Sequence, residues 1–456
     1  MMSERRGVQL RLYSPSLEEI VENDEFLRRL DASVDFSFIY DELRPYYSAD
    51  NGRYSADPVV IVKSLLIAYF FDVLSERKLE RELKYNALYR WFLGLSFEER
   101  VPDHSTISQL RRRKFNDADI FKKLFMHVLR LCAEQGLVRG KLLVTDSSHV
   151  KANASKTSRI KVEIERQTTE FFEKLDAYEA EERKQLGLPE ITRKLPEPKK
   201  DEQTRSITDP DAGWLCRPDK PTGFHYLTHQ TIDAENGIIV DVNVTPGNAP
   251  DCNSYTEQLD RSTEILGEFG IEVEAVSVDS AYDTALIHKE IEDRKLMIYT
   301  PKKDTSDNSK TEYKRDDFTY DKDADDFTCP HGAKLTLRTL MRSESGVYRE
   351  YRADTKTCKV CPHRDKCLAP SQTSRKIQVN IFQHIMDKHH ESDGSAEYND
   401  ALRKRQIWCE GTFATQKARH NLGQLFRRGR RAALDHCFLS ACAVNLKRLV
   451  KATAAA

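Results

Sequence analysis

The chain has 456 residues, a net charge of −1 and 32% charged residues. That length allows roughly two to four domains with a large core, and the near-neutral balance excludes a polycation, so any affinity for polyanions must be local. No run is long and apolar enough for a transmembrane span, the opening MMSERRGVQLRLY lacks the apolar stretch of a signal peptide, and a reducing, cytoplasmic setting is expected. There, ten cysteines point to thiols or a metal site rather than to a disulfide framework.

Residues 54 to 130 read as helices. YSADPVVIVKSLLIAYFFDV offers Asp57 as N-cap and Pro58 at the first helical position, then broadens into an almost wholly apolar helix. SERKLERELKYNALYRWFLGL follows from Ser75. PDHSTISQLRRRKF opens a third helix with Ser105 as a natural cap, and the run Arg111, Arg112, Arg113, Lys114 lies toward its C-terminal end. Four adjacent cations are usually only solvated surface, but on a short helical domain they are also the footprint of a nucleic-acid binder.

From residue 138 the period changes to that of strands. KLLVTD ends at Asp146. After a gap, GFHYLTHQTID and GIIVDVNVTP alternate and are joined by AENG, a hairpin signal. CNSYTEQLDRSTEILGEF reads as a helix, VEAVSVD as a strand ending at Asp279, ALIHKEIEDRK as a helix and LMIYTPK as a fifth strand. Three strands in an antiparallel meander, followed by two entered through helical crossovers, make a mixed α/β sheet. Two segments interrupt it. Residues 156–205 are dense in Lys and Glu and read as a mobile helix or helical hairpin with a Pro-rich exit. Residues 303–395 are polar and carry most of the Cys and His punctuation. The resulting division is a helical, DNA-binding region at 1–135, a catalytic α/β core at 136–302 interrupted at 156–205, a Cys-rich insertion at 303–395, and the end of the core at 396–456.

An Asp at a strand end is more often a turn former than a ligand. Two of them in one sheet, with a third carboxylate in a basic helix, favour chemistry instead. The run from Arg405 to Arg431 holds a single carboxylate, Glu410, among Lys417, Arg419, Arg427, Arg428 and further arginines. Three carboxylates suit a hard cation such as Mg2+ or Mn2+, which binds oxygen ligands and serves phosphoryl transfer. Residues seven apart share a helix face, so Arg403, Glu410 and Lys417 are expected to face one phosphate track.

These segments together resemble the bacterial insertion-sequence transposases of the DDE class, whose catalytic domain is ribonuclease H-like. The stretch RYSADPVVIVKSLL through PDHSTISQLRRR is similar to that family's N-terminal region. VTDSSHVKANASK, SITDPDAG with GFHYLTHQTIDAENGIIVDVNVTPGNAPD, VSVDSAYD, RQIWCEGTFATQKARHNLGQLFRRG and AVNLKRL resemble its catalytic segments in order. The resemblance implies Asp146, Asp279 and Glu410 as the catalytic, metal-holding triad. It also implies binding of element-end and target DNA, metal-dependent strand cleavage and transfer, and a homodimer on DNA. A nuclease without strand transfer and an inactive DNA-binding descendant are the alternatives. In many members an Arg lies one helical turn before the Glu and a Tyr slightly earlier. Here Gln406 holds the first position, with Arg405 one residue back, and Tyr398 falls at a different spacing, so neither role is assigned.

CPHG at Cys329 and CKVCPHRDKC from Cys358 to Cys367 form a second constellation. Cys358 and Cys361 have zinc-knuckle spacing. Cys367 with Cys329, His331 or His363 would complete a structural Zn2+ site, against the alternative of packed thiols.

Overall fold

Alternating apolar residues from 138 onward build one large mixed sheet, seen here in a computed structural model. The structure describes residues 15–48, 55–166, 169–191, 199–218, 220–250, 254–303, 311–343 and 345–454. The N-terminal 1–14, read above for a signal peptide, and the Pro-rich exit at 195–198 lie outside the described residues. The strands are β1 (Leu143–Lys151), β2 (Arg159–Arg166), β3 (Lys199–Ser206), β4 (Gly213–Arg217), β5 (Lys220–Asp233), β6 (Ile239–Pro246), β7 (Ala275–Ser277) and β8 (Met297–Tyr299). Their order is β2-β3-β4-β5-β1-β7-β8, with β6 also on β5. β1, β5 and β6 form the antiparallel meander. β7 and β8 run parallel to β1, entered through helices Tyr255–Glu268 and Ala285–Asp293. The path β6-β5-β1-β7-β8 is the ribonuclease H-like sheet that the sequence implied.

The first insertion was expected as a helix or a helical hairpin; it does hold a helix, but between two paired strands. It is a strand, a helix (Thr169–Gln185) and a returning strand, with β2 and β3 paired along their length. Ile160, Val162 and Ile164 alternate within RIKVEIER, but the intervening charges hide a period of two inside a composition that reads as helix. β5 is long enough, at 14 residues, to divide one edge between two partners. β6 takes Tyr226–Ile232 and β4 takes the segment before it.

The N-terminal helices share one continuous apolar core with this sheet. Helix Pro58–Phe70 is capped as expected, Asp57 accepting from the Val59 and Val60 amides. The next stretch breaks in two at Asn86, whose side chain caps the second half. Ser75 occupies the N-cap position without a side-chain bond. The third helix, His104–Leu110, is capped by Asp103 rather than Ser105. Asp103 accepts from the Thr106 amide at 2.9 Å and from the Ser105 hydroxyl at 2.5 Å. The helix then widens into a π-turn, Arg111–Phe115, which rotates Arg111 into the interior against Glu76 at 2.9 Å. Arg111 is buried, which corrects its assignment to a DNA-facing surface, while Arg112 and Arg113 remain exposed. The Lys114 ammonium sits 3.2 Å from the centre of the Tyr47 ring.

The closing helix, Arg430–Thr453, is buried along most of its length and packs on helix Ile120–Glu134, on Pro58–Phe70 and on β6. Its N-terminus is held from the SITDPDAG segment: Asp211 accepts from the Arg430 amide and Asp209 from the Gly429 amide, both at 3.1 Å. Carboxylates at a helix N-terminus satisfy orphan amides and oppose the dipole favourably. Further along, Asn445 bonds both the amide and the carbonyl of Ile239 at 2.9 Å, fixing β6.

The Cys-rich insertion is a second sheet of β9 (Thr319–Asp321), β10 (Asp326–Thr328), β11 (Lys334–Ser343), β12 (Gly346–Ala353) and β13 (Lys376–Asn380), in the order β13-β12-β11-β10-β9. Phe318, Phe327, Leu335, Tyr351 and Ile377 give it its own small core. Among the described residues no helix is long and apolar enough to cross a membrane.

Two outcomes follow from this packing. Asp103→Ala should lower stability by about 1 kcal/mol and Ser105→Ala by clearly less, since only the carboxylate meets the amide; paired denaturation curves measure the difference. Gly237, in the β5–β6 turn, has φ +75°, and a Cβ there would lie 2.3 Å from the Trp408 ring. Gly237→Ala should therefore cost about 1–3 kcal/mol and displace the helix that carries Trp408. Thermal unfolding together with Trp fluorescence reads both effects.

Candidate active site

β1 and β7 pair in parallel through Leu143 with Val276 and Val144 with Ser277. The same register, carried two residues past its last pair, would bring Asp146 level with Asp279. Asp146 is not at the end of its strand, as its sequence suggested. β1 continues to Lys151, and Asp146 lies across from Gln230 of β5. What ends is the neighbour: β7 stops at Ser277, so the β1 edge opens at the level of Asp146. Asp279 caps the short turn Ser280–Tyr282, accepting from the Ala281 amide at 2.8 Å, and the Thr300 hydroxyl donates to its carbonyl at 3.0 Å.

Glu410 arrives from the other side on one rod: helix Ala396–Arg405, a π-turn Gln406–Glu410, and helix Gly411–Arg419. The π-turn packs on β1 and β5. The Trp408 indole donates to the Ala234 carbonyl at 2.7 Å, and the Arg448 guanidinium lies 5.0 Å over the Trp408 ring. Gln230 donates to Gln416 at 2.9 Å, tying the same rod to the strand that faces Asp146.

Cys409 shows how the groups converge. Burial pushes its thiol well above the usual range. The negative charge of Asp146 adds to this, Arg405 opposes it, and Glu410 and Asp279 add further. The charges of all four groups are therefore felt at one buried sulfur. The potential donors are carboxylate oxygens, while the buried thiol of Cys409 stays neutral. That chemistry fits a hard divalent cation rather than a thiophilic one.

The π-turn changes two expectations. A π-turn takes about one extra residue, so Arg403 leaves the line joining Glu410 to Lys417 and pairs instead with Asp400 at 2.6 Å. The same turn makes Arg405, not Gln406, the residue one turn before Glu410. Its guanidinium lies 3.6 Å from the Asp146 carboxylate. Sequence spacing counted in α-helical turns missed Arg405 by one position.

Lys417 and Arg419 are exposed on the helix after Glu410. The following segment runs beside the far end of β1: the Lys151 amide donates to Gly423, the Leu425 amide to Lys151, and Arg428 to the Asn153 carbonyl at 3.0 Å. Exposed Arg428 thus lies along the strand that carries Asp146. Arg427 turns the other way, to the buried Asp435 at 3.3 Å, and so does not share that outward face.

In the insertion, Cys329, Cys358, Cys361 and Cys367 line one cavity of about 260 Å³. The Ala333 amide donates to Cys329 Sγ at 3.2 Å. Burial raises the Cys367 thiol, and Cys358, Cys329 and Cys361 raise it further. His331 and His363 stack on one another with ring centres 3.9 Å apart, and His331 also meets the Tyr313 hydroxyl.

No curated protein matches the sequence. Among solved structures, the piggyBac transposase synaptic complex with hairpin DNA aligns over 94% of this chain and 75% of that one, at 9% identity and a TM-score of 0.34. The Mos1 mariner paired end complex with Mn aligns over 65% and 61%, at 10% identity and a TM-score of 0.17, so the chain spans about three-fifths of that relative. At these scores neither overlay bears on function. The family models do. One described as Transposase domain (DUF772) matches residues 15–113, and one described as Transposase DDE domain matches residues 328–450, which include Glu410. The chain thus carries a transposase domain at residues 15–113 and a transposase DDE domain at residues 328–450, on either side in sequence of the core strands β1, β5, β6, β7 and β8.

Proposed function

We propose that this chain acts as a DDE transposase that binds the ends of a DNA element and carries out metal-dependent strand cleavage and transfer, with Asp146, Asp279 and Glu410 as its catalytic carboxylates. What supports the reading is that the charges of all three bear on the buried Cys409 and that the β1–β7 register, carried two residues past its last pair, would set Asp146 level with Asp279. These carboxylates would hold Mg2+ or Mn2+, which in such sites stabilises the attacking and leaving oxygens of an in-line phosphoryl transfer. Arg405 orients Asp146 and reduces the repulsion among three neighbouring carboxylates. Lys417, Arg419 and Arg428 draw the phosphate backbone along β1, and Arg112 and Arg113 add a second patch. Two copies pairing two DNA ends would form the working assembly.

Cys329, Cys358, Cys361 and Cys367 line one cavity and would hold a structural Zn2+ by drawing together around it, since no three of their sulfurs already lie within 4.8 Å of one another. An amide donating to Cys329 Sγ stabilises a thiolate, and the stacked histidines are engaged with each other and with Tyr313.

Glu410→Gln should abolish cleavage of a labelled end-containing duplex, a loss of several kcal/mol in transition-state stabilisation, while binding to the same DNA survives or tightens. Cleavage at the wild-type rate would remove Glu410 from the site. Products joined to a second DNA separate strand transfer from simple hydrolysis.

The basic run should divide by burial. Arg111→Ala strands Glu76 and should destabilise the fold by about 3 kcal/mol. Arg112→Ala with Arg113→Ala should leave the melting temperature in place and flatten the salt dependence of DNA binding by about one to two charges. Thermal melts and binding titrations across salt check both expectations.

A further inference from the structure

Four residues after Asp279 the chain buries an aspartate among histidines. Asp283 Oδ1 lies 2.9 Å from His288 Nε2 and 3.0 Å from His390 Nε2, and its Oδ2 accepts from the Lys303 amide at 2.7 Å. The three side chains are 5%, 0% and 6% exposed. Among the described residues, these are the one set of three or more potential metal ligands whose ligand atoms all lie within 4.8 Å of one another.

The outer nitrogens are also placed. His288 Nδ1 faces His389 Nδ1 at 2.9 Å, and His389 Nε2 faces Glu292 at 3.1 Å. His390 Nδ1 faces Asp393 at 3.1 Å. Counting protons separates two ways of satisfying this geometry. With protons alone, His390 must donate to two carboxylates and is an imidazolium. His288 donates to Asp283 and His389 to Glu292, so their facing Nδ1 atoms need one further proton, and that pair is cationic too. With a divalent cation at the convergent atoms, Nε2 of His288 and of His390 coordinate as lone pairs. His288 Nδ1–H then donates to His389, His389 Nε2–H to Glu292, and His390 Nδ1–H to Asp393. Every N–H has an acceptor and every imidazole is neutral. Carboxylates and a second histidine behind the ligating rings are the usual outer support of a metal site.

We propose that Asp283, His288 and His390 form a structural site for a divalent transition metal, with Zn2+ the ion that best suits two imidazoles and one carboxylate. Tetrahedral ligands at about 2.0–2.1 Å sit roughly 3.3 Å apart, so the rings need part by only a few tenths of an ångström. The site joins the loop after Asp279, helix Ala285–Asp293 and the turn His390–Ser392, which leads into the Glu410 rod. It also clasps both ends of the Cys-rich insertion, at Lys303 and His390. Its existence does not depend on the catalytic reading.

The test is zinc analysis of full-length protein after exhaustive dialysis, in wild type, in Asp283→Asn, in the pair His288→Gln with His390→Gln, and in the pair Cys358→Ser with Cys361→Ser. The histidine pair and Asp283→Asn should each hold one equivalent less than wild type, and the cysteine pair should keep that equivalent. Co2+ loaded into the cysteine pair should give the strong visible bands of a tetrahedral nitrogen–oxygen site without a thiolate band in the near ultraviolet. This measurement keeps the histidines native and does not depend on whether their variants fold. Equal zinc in wild type and the histidine pair, or no tetrahedral Co2+ spectrum in the cysteine pair, overturns the proposal.

Discussion

Two residue pairs of parallel strand, Leu143 with Val276 and Val144 with Ser277, set the geometry on which the site depends. Parallel strands need a crossover, and here two crossover helices spend their apolar faces holding a short β7 and β8 against a long β1. Because β7 is short, β1 runs on past it with one edge open, and the open edge begins where Asp146 stands. A longer β7 would have filled that edge with ladder hydrogen bonds and left no room for the Glu410 rod to pack.

The rest of the molecule secures the third carboxylate against this pair. The rod cannot be placed by the sheet alone, because it comes from beyond the Cys-rich insertion. Instead it is fixed by Trp408 on the Gly237 turn, by Arg448 over Trp408, and by Gln416 on Gln230. Arg448 belongs to the closing helix, whose burial among the N-terminal helices makes the helical region part of the same core. The position of Glu410 is thus coupled to packing far from it, through one guanidinium and one indole.

Much of this was legible in the sequence. The five core strands and two crossover helices carry clean apolar periods, and Asp57–Pro58 announces its helix. The three carboxylates stood out as apparent strand ends and a lone acid in a basic run, although Asp146 lies inside β1 rather than at its end. What was missed has physical causes. Asp103 competes with Ser105 for the same cap, and only geometry decides which oxygen meets the Thr106 amide. RIKVEIER hides β-branched alternation under charge. Arg111 looks like surface because its partner Glu76 is far away in sequence. Asp283, His288 and His390 could not be seen as a group because the whole second insertion separates the last of them from the others.

The π-turn before Glu410 has a consequence for how such chains are compared and how they change. A helix that carries a required side chain tolerates an inserted residue if the extra length is absorbed as a bulge, since the segments on either side keep their contacts. The fixed coordinate is then the turn on the β1 face, where Arg405 meets Asp146, and not the count of residues to Glu410. Alignments scored by spacing would place Gln406 opposite an arginine and pass over Arg405, which the π-turn brings to Asp146. A single-residue insertion is in this sense a silent change at the level of the site, although it is conspicuous at the level of the text.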